Sequence, residues 1–400
     1  MDGPLVNFKV IDLTMYLAGP LASMYLGDMG ADVIKVEPLS GDGMRKAGPP
    51  FYGEDSAYFM AGNRNKKSIC IDLKTDIGRE IFLRIARDAD VVIENFRPGV
   101  MDGLGLGYEV LAAANPKLVY VGLSGFGETG PYRHVPAFDT VIQAYSGWMS
   151  ITGTEETGPL RPGPSIADLL GGIHSAFAAT LALLDRERTG KGQKATVSLL
   201  DCMISTLLPH ALSFFVDGKI PKRVGNSHPV IVPFGTYPTS DGSMNVAAGT
   251  IQQWRNLCFE IGAAEFADDP RLQDNEGRSR HREEINEVLR SKLAYNTTKY
   301  WVERFAELSI PCAPVNDLKQ VFEDPQVIHN KMLIEMAHST AGNIKVLNNP
   351  FRLRQTPIEE WTPPPTLGQH TVEILFATGF TKEQVDEYID RKIVVARTKG

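Results

Sequence analysis

Only four cysteines, Cys70, Cys202, Cys258 and Cys312, occur in the 400 residues, and no two of them form a C-x-x-C pair. Without a histidine-rich neighbourhood this spacing supports neither a metal site nor a disulfide framework, so four reduced packing residues are expected. Long runs of one charge are missing as well: 48 acidic side chains outnumber 41 basic ones for a formal charge of -7. No basic stretch is long enough to follow a phosphate backbone, which argues against a nucleic-acid partner. No segment reaches the roughly 18 uninterrupted apolar residues of a membrane span. The opening MDGPLVNFKVIDL has no basic start followed by an apolar stretch. A cytoplasmic protein with no membrane partner is the expectation, and the sequon at Asn296-Thr297-Thr298 is then a chance match.

What is present is a globular composition, 43% hydrophobic and 22% charged, which excludes long disordered or fibrous tracts. The length exceeds what one hydrophobic core usually supports, so roughly two domains are expected. Short apolar runs at 10–13, 32–36, 68–73, 90–95 and 117–123 read as buried strands. Helical spacing at 21–29 and 77–86 places helices between them, the pattern of parallel β-α-β units. Apolar positions at helical spacing over 166–188 predict a long helix that stops at Thr189-Gly190-Lys191-Gly192, with a strand at 193–199. After about residue 220 the texture changes, with a hairpin around Asp241-Gly242 and helices over 251–292. Paired strands at 331–353, turning at Gly342-Asn343, return the chain to the first domain. The expected division is a large domain at 1–200 completed by 331–400, a small α+β domain at 225–325, and linkers at 201–224 and 326–335.

Three local patterns invite a reading and none settles one. Gly125-Phe126-Gly127-Glu128-Thr129-Gly130 satisfies G-x-G-x-x-G after a strand, but Pro131 and Pro136 interrupt the region where the phosphate-binding helix would run. A dinucleotide dehydrogenase is therefore rejected. Ser165-Ile166-Ala167-Asp168 is S-x-x-D ahead of an apolar helix, the signature of a capping box, and taken alone it predicts structure rather than chemistry. Arg64, Lys66 and Lys67 form either a small phosphate-receiving pocket or a solvated charged face.

Longer phrases in order along the chain carry more. They include VIDLTMYLAGPLASMYLGDMGADVIKVEP at 10–38, NRNKKSICIDLKTDIG at 63–78, VVIENFRPGVMDGLGLGYE at 91–109 and RPGPSIADLLGG at 161–172. VPFGTYPTSDG at 232–242 and CAPVNDLKQVFEDPQV at 312–327 continue the series. Together they resemble the class III CoA-transferases, a family that includes formyl-CoA and carnitine CoA-transferases and, as a divergent branch, the α-methylacyl-CoA racemases. The resemblance implies an α/β fold with a Rossmann-like large domain and a smaller α+β domain, assembled as an interlocked, ring-like homodimer. It also implies CoA and acyl-CoA as substrates, small carboxylic acids as partners, and no permanently bound cofactor.

By the same resemblance Asp168 is the nucleophile, passing through an aspartyl anhydride and an aspartyl-CoA thioester. A carboxylate suits this work because its anhydride lies near a thioester in energy. An aspartate of ordinary pKa, about 3.9, is ionised at neutral pH without a neighbouring base. Matching positions assign CoA contacts to Tyr16, Leu17, Ala18, Lys74, Asn95, Phe96, Arg97, Leu104, Phe138 and Asp139. Gly171, Gly172 and Gly249 are candidates for close approach of the thioester or for oxyanion contacts. Arg45 and Arg64 are candidates for a second carboxylate, and the late-chain phrases resemble dicarboxylate-using members of the family, which together make succinyl-CoA with a dicarboxylic acceptor the preferred pair. The racemase alternative requires a histidine where Phe138 stands, leaving His134 as a remote substitute. A CoA-binding protein without catalysis is the third reading, and the presence of Asp168 argues against it.

Overall fold

A computed structural model describes residues 3–397; residues 1–2 and 398–400, at the ends of the expected large domain, lie outside the described residues. The chain divides into two compact units. One comprises Met1–Trp148, Arg161–Gly218 and Asn330–Gly400, the other Met149–Leu160 and Lys219–His329.

In the first unit the valine- and isoleucine-rich runs become strands β1 (Lys9–Asp12), β2 (Asp32–Glu37), β3 (Lys66–Ile71), β4 (Val91–Glu94), β5 (Val119–Ser124) and β6 (Lys194–Ser198). All six run parallel in the order β6-β5-β4-β1-β2-β3, and Val394–Val395 pairs antiparallel at the β3 edge. Val10, Val91, Val92 and Val119 are at most 1% exposed, because helices cover both faces of the sheet. These helices include α1 (Ala18–Asp28), α2 (Asp76–Ala86), α3 (Tyr108–Ala114), α4 (Asp139–Tyr145), α5 (Ile166–Thr189), α6 (Leu199–Ser205) and α7 (Leu208–Asp217). One face packs α1 and α5 through Ala22, Leu26, Ala176, Ala179 and Leu183. The other packs α2 and α3 through Ile81, Phe82, Ile85 and Leu111.

The chain order reverses between β1 and β4. β2 and β3 build outward on one side of β1, and β4, β5 and β6 on the other. Loops leaving the carboxyl ends of β1 and β4 therefore part in opposite directions and open a crevice, the place where α/β sheets receive ligands.

Two expectations are corrected. The stretch 201–224 is not a plain linker, since α6 and α7 occupy most of it, and α7 carries an apolar pattern that a short polar connection would not. The segment Met149–Leu160, expected in the large domain, groups with the second unit. Helix α5, at 24 residues, is long and apolar enough to cross a membrane by length and composition. Asp168, His174 and Ser175 interrupt its apolar residues, so no uninterrupted apolar run of membrane-spanning length occurs in it. One face of this helix is nonetheless committed to the core.

The second unit holds the antiparallel strands Phe234–Pro238, Ser243–Ala247 and Cys312–Pro314. The hairpin at 239–242 closes with the Thr239 N–H donating to the Gly242 carbonyl at 3.0 Å. Its core is formed by Trp254, Leu257, Ile285, Leu289, Trp301 and Phe305. Gly249 stands exposed just before Thr250, which caps the helix Ile251–Glu260 through a capping box.

Candidate active site

At the crevice lies a cavity of about 220 Å³. Its walls come from the loop after β1 (Tyr16, Ala18), the loop after β4 (Asn95 to Pro98), the end of β5 with Gly125 and Phe126, the segment 133–138, and Asp168 with Leu199. Asp168 is the one acidic side chain among the lining residues, and no cysteine, histidine or lysine joins it there.

Asp168 sits in the first turn of α5, and among the described residues nothing donates a hydrogen bond to its carboxylate. Burial, assisted by the charge of Asp139, pushes its pKa up to about 7. This corrects the expectation of an ordinary, fully ionised carboxylate. Desolvation disfavours the charged form and outweighs the attraction of the helix N-terminus, which acts in the opposite sense.

The predicted capping box is absent: Ser165 makes no side-chain cap. Asp139 does the work instead, its Oδ1 accepting the Ala167 N–H at 2.9 Å while Oδ2 accepts from Gln143 Nε2 at 2.7 Å. Only 7% exposed and outside the cavity lining, Asp139 supports the start of the helix.

Gly171 and Gly172 are also corrected. Both are buried in packing. A Cβ on Gly172 would stand 2.6 Å from the Ala18 carbonyl oxygen, and one on Gly171 would stand 2.2 Å from Leu199 Cδ2. Their missing side chains let α5 close on α1 and α6, and they do not face the cavity. Gly249, whose added Cβ would meet only Ile231 at 3.8 Å, belongs to the second unit.

Arg45 and Arg64 are not free to receive a carboxylate. Arg45 pairs with Glu37 at 2.7 Å and Asp55 at 3.0 Å, and Arg64 pairs with Asp28 at 2.5 Å, both arginines being almost fully buried. Lys66 is likewise buried against Asp12 at 3.0 Å, and Lys67 is held by Asp32 and Glu373, so the basic cluster is not a phosphate pocket. The cations that do line the cavity are Arg97 and Arg133, and neither pairs with a carboxylate among the described residues. Arg133 was not singled out in the sequence, where a lone arginine between Tyr132 and His134 carries no pattern.

Of the expected CoA contacts, Tyr16, Ala18, Asn95, Phe96, Arg97 and Phe138 share the cavity wall. Tyr16 and Phe138 meet edge to face with ring centroids 5.6 Å apart. Asn95 spends its amide on the backbone of Met15, accepting its N–H at 2.9 Å and donating to its carbonyl at 2.8 Å. Leu17 precedes the first turn of α1, half-buried and outside the lining. Lys74 is exposed on the turn after β3, and Leu104 packs on the core; both stand away from this cavity. His134 accepts from Arg133 Nε at 2.8 Å and lines a neighbouring polar cavity with Glu94 and Glu128, not the one that holds Asp168. The G-x-G-x-x-G segment runs without a helix to α4, as its prolines require.

A solved CaiB/BaiF family protein from Brucella suis superposes with a TM-score of 0.86 at 37% identity, covering 94% of this chain and all of that one. The mouse protein named succinyl-CoA:glutarate CoA-transferase is 40% identical over 93% of this chain and 86% of its own length. The Agrobacterium fabrum protein named succinate–glutarate CoA-transferase is 38% identical over 93% and 95%. A family profile described as CoA-transferase family III matches residues 5–371. With a solitary carboxylate in a switch-point cavity and this match over nearly its whole length, the chain belongs to CoA-transferase family III and is an enzyme of the CoA-transferase type.

Proposed function

We propose that this enzyme carries CoA from succinyl-CoA to a small dicarboxylic acid, with Asp168 as the temporary carrier. The observation that supports this most directly is the solitary carboxylate facing the cavity, with no base, metal-ligating cluster or thiol beside it among the lining residues. An Asp168 oxygen attacks the thioester carbonyl, the C–S bond breaks, and CoA leaves as thiolate from a mixed anhydride. The thiolate then attacks Asp168 Cγ, the donor acid departs with the bridging oxygen, and an aspartyl-CoA thioester remains. The acceptor carboxylate repeats both steps in reverse, so that Asp168 is regenerated and no ATP is consumed.

The dicarboxylate preference draws on the names of the mouse and Agrobacterium relatives and on the two unpaired arginines, Arg97 and Arg133, that line the same cavity. A second acidic group on the acyl chain suits a cation within the site. The apolar outer face of α5, with Ile173, Phe177, Leu181 and Leu184 all exposed, supports a second copy of the chain as the group that covers it.

Purified enzyme incubated with succinyl-CoA and a panel of acids, read by mass spectrometry, is expected to form CoA esters of dicarboxylic acids. Hydroxylamine is expected to trap a substrate-dependent adduct at residue 168, and Asp168→Ala to abolish both. Turnover by that variant would overturn the reading.

A further inference from the structure

Tyr16 forms part of the cavity wall with a backbone φ of 71°, a region that a residue bearing a Cβ rarely occupies. A loop held in such a conformation needs outside bonds to keep it there, and here they come from buried charge. Lys35 Nζ donates to the Thr14 carbonyl at 2.7 Å and pairs with Asp42 Oδ2 at 3.1 Å. Asp42 Oδ1 accepts the Tyr16 N–H at 3.2 Å and the Met44 N–H at 2.9 Å. The Lys35–Asp42 pair therefore grips the loop on both sides of Met15, while Asn95 holds Met15 itself.

Lys35 and Asp42 are at most 1% exposed, and Asp42 Oδ2 has no partner besides the Lys35 ammonium. A buried ion pair commonly stabilises a fold no better than apolar side chains of the same shape, because desolvation offsets the attraction. Stability alone thus gives little reason for this pair. What it supplies, and an apolar pair would not, is directed bonds to the backbone of a strained loop beside the reacting carboxylate. Asp12, by contrast, is satisfied by Thr14, Ser23 and Lys66 and does not reach Tyr16.

We infer that Asp42 is a positioning residue of the transfer reaction: paired with Lys35, it fixes Tyr16 in its left-handed conformation, and through Tyr16 it sets the wall against which the acyl-CoA is held beside Asp168. The inference rests on the transferase reading of this cavity. Asp42 touches neither the cavity nor substrate and acts only through the loop.

A double-mutant cycle on the intact enzyme tests it, with kcat and KM for succinyl-CoA read beside the melting temperature. Asp42→Ala is expected to lower kcat/KM about tenfold, and Asp42→Asn, which keeps the Oδ1 acceptor but sets an amide NH2 against the Lys35 ammonium, to recover part of that loss. Adding Asp42→Ala to Tyr16→Ala is expected to cost little more than Tyr16→Ala alone. Multiplying losses, or kcat/KM within twofold of wild type in Asp42→Ala, would overturn the inference. Should Asp42→Ala not fold, the paired change Lys35→Met with Asp42→Leu leaves no orphan charge. It is expected to show the same tenfold loss, and wild-type turnover there would equally sink the idea. Failure of the transferase reading is separately visible, because wild-type enzyme would then give no adduct at Asp168.

Discussion

Asp139 Oδ1 accepts the backbone N–H of Ala167 at 2.9 Å across a sequence separation of 28 residues. The helix that presents Asp168 is therefore started by a carboxylate on another helix, not by its own preceding serine. The same carboxylate is also a charge close enough to Asp168 to help hold its proton on. One side chain thus helps fix where the Asp168 carboxylate stands and adds to the burial that raises its pKa.

Replacing Asp139 by asparagine separates these roles. An amide oxygen still accepts the Ala167 N–H, but the charge is gone. The pH at which Asp168 ionises is expected to fall part of the way toward the ordinary range, since burial, the larger cause, remains. Asp139→Ala removes the cap as well and is expected to cost about 1 kcal/mol of stability. The acid limb of kcat/KM against pH reads the first effect, and denaturant unfolding reads the second. An unmoved limb in Asp139→Asn would show that the charge of Asp139 does not reach the reacting group.

The pKa of about 7 at Asp168 has a kinetic sign and a stability sign. Attack requires the ionised form, so kcat/KM is expected to rise with pH through about 7 and level off above it. For folding, the native state holds this proton between the ordinary carboxylate range and about 7, while the unfolded chain has lost it. The group's contribution to stability therefore falls as pH rises through that window and is flat above it. Asp168→Asn removes the titration, so the variant is expected to gain on wild type by roughly 1–2 kcal/mol between pH 5 and pH 8, a value reduced for partial solvent screening. A gap that stays constant with pH would contradict the raised value.

The strands, the long helix and its glycine stop were legible because each depends on spacing within a few residues. Gly190 duly takes φ of 71° where α5 ends. The carboxylate on the cavity wall stood out through the phrase around Asp168. What could not be read is whatever depends on partners far along the chain. Arg64 looked like a free cation until Asp28, 36 residues earlier, was brought against it. Arg45 lies only eight residues from Glu37, but its burial beneath Pro365, 320 residues on, is a tertiary fact. Gly171 and Gly172 carried the same ambiguity: a missing side chain makes room for a ligand or for another helix, and only the packing of α1 and α6 decides which.

That packing makes the two glycines unequal. The Cβ of Gly172→Ala would meet a backbone oxygen, which cannot move without α1, whereas the Cβ of Gly171→Ala would meet the end of the Leu199 side chain, which can turn aside. Gly172→Ala is expected to cost about 1–3 kcal/mol, and Gly171→Ala less. Because α1 carries Ala18 and α5 carries Asp168 on the cavity wall, Gly172→Ala is also expected to lower kcat/KM. Thermal unfolding alongside steady-state kinetics tests the order, and the reverse ranking would mean that the helices separate more easily than the side chain turns.

With Arg45 and Arg64 committed to internal carboxylates, Arg97 and Arg133 are the cations on the cavity wall, and the proposed dicarboxylate reading makes them the ones to test. Arg97 lies on the loop that leaves the end of β4. Arg133 lines the same cavity, its Nε donating to His134 Nε2 at 2.8 Å and its remaining donors available to an anion. Arg133→Gln is expected to raise KM about tenfold for dicarboxylic acceptors, the size of one charge-assisted hydrogen bond, and to leave monocarboxylic acceptors nearly unchanged. KM measured over acceptors of matched chain length with and without the distal carboxylate makes the comparison. An equal rise for both kinds would assign Arg133 to the CoA that all of them share, and would remove it from the recognition of the acid.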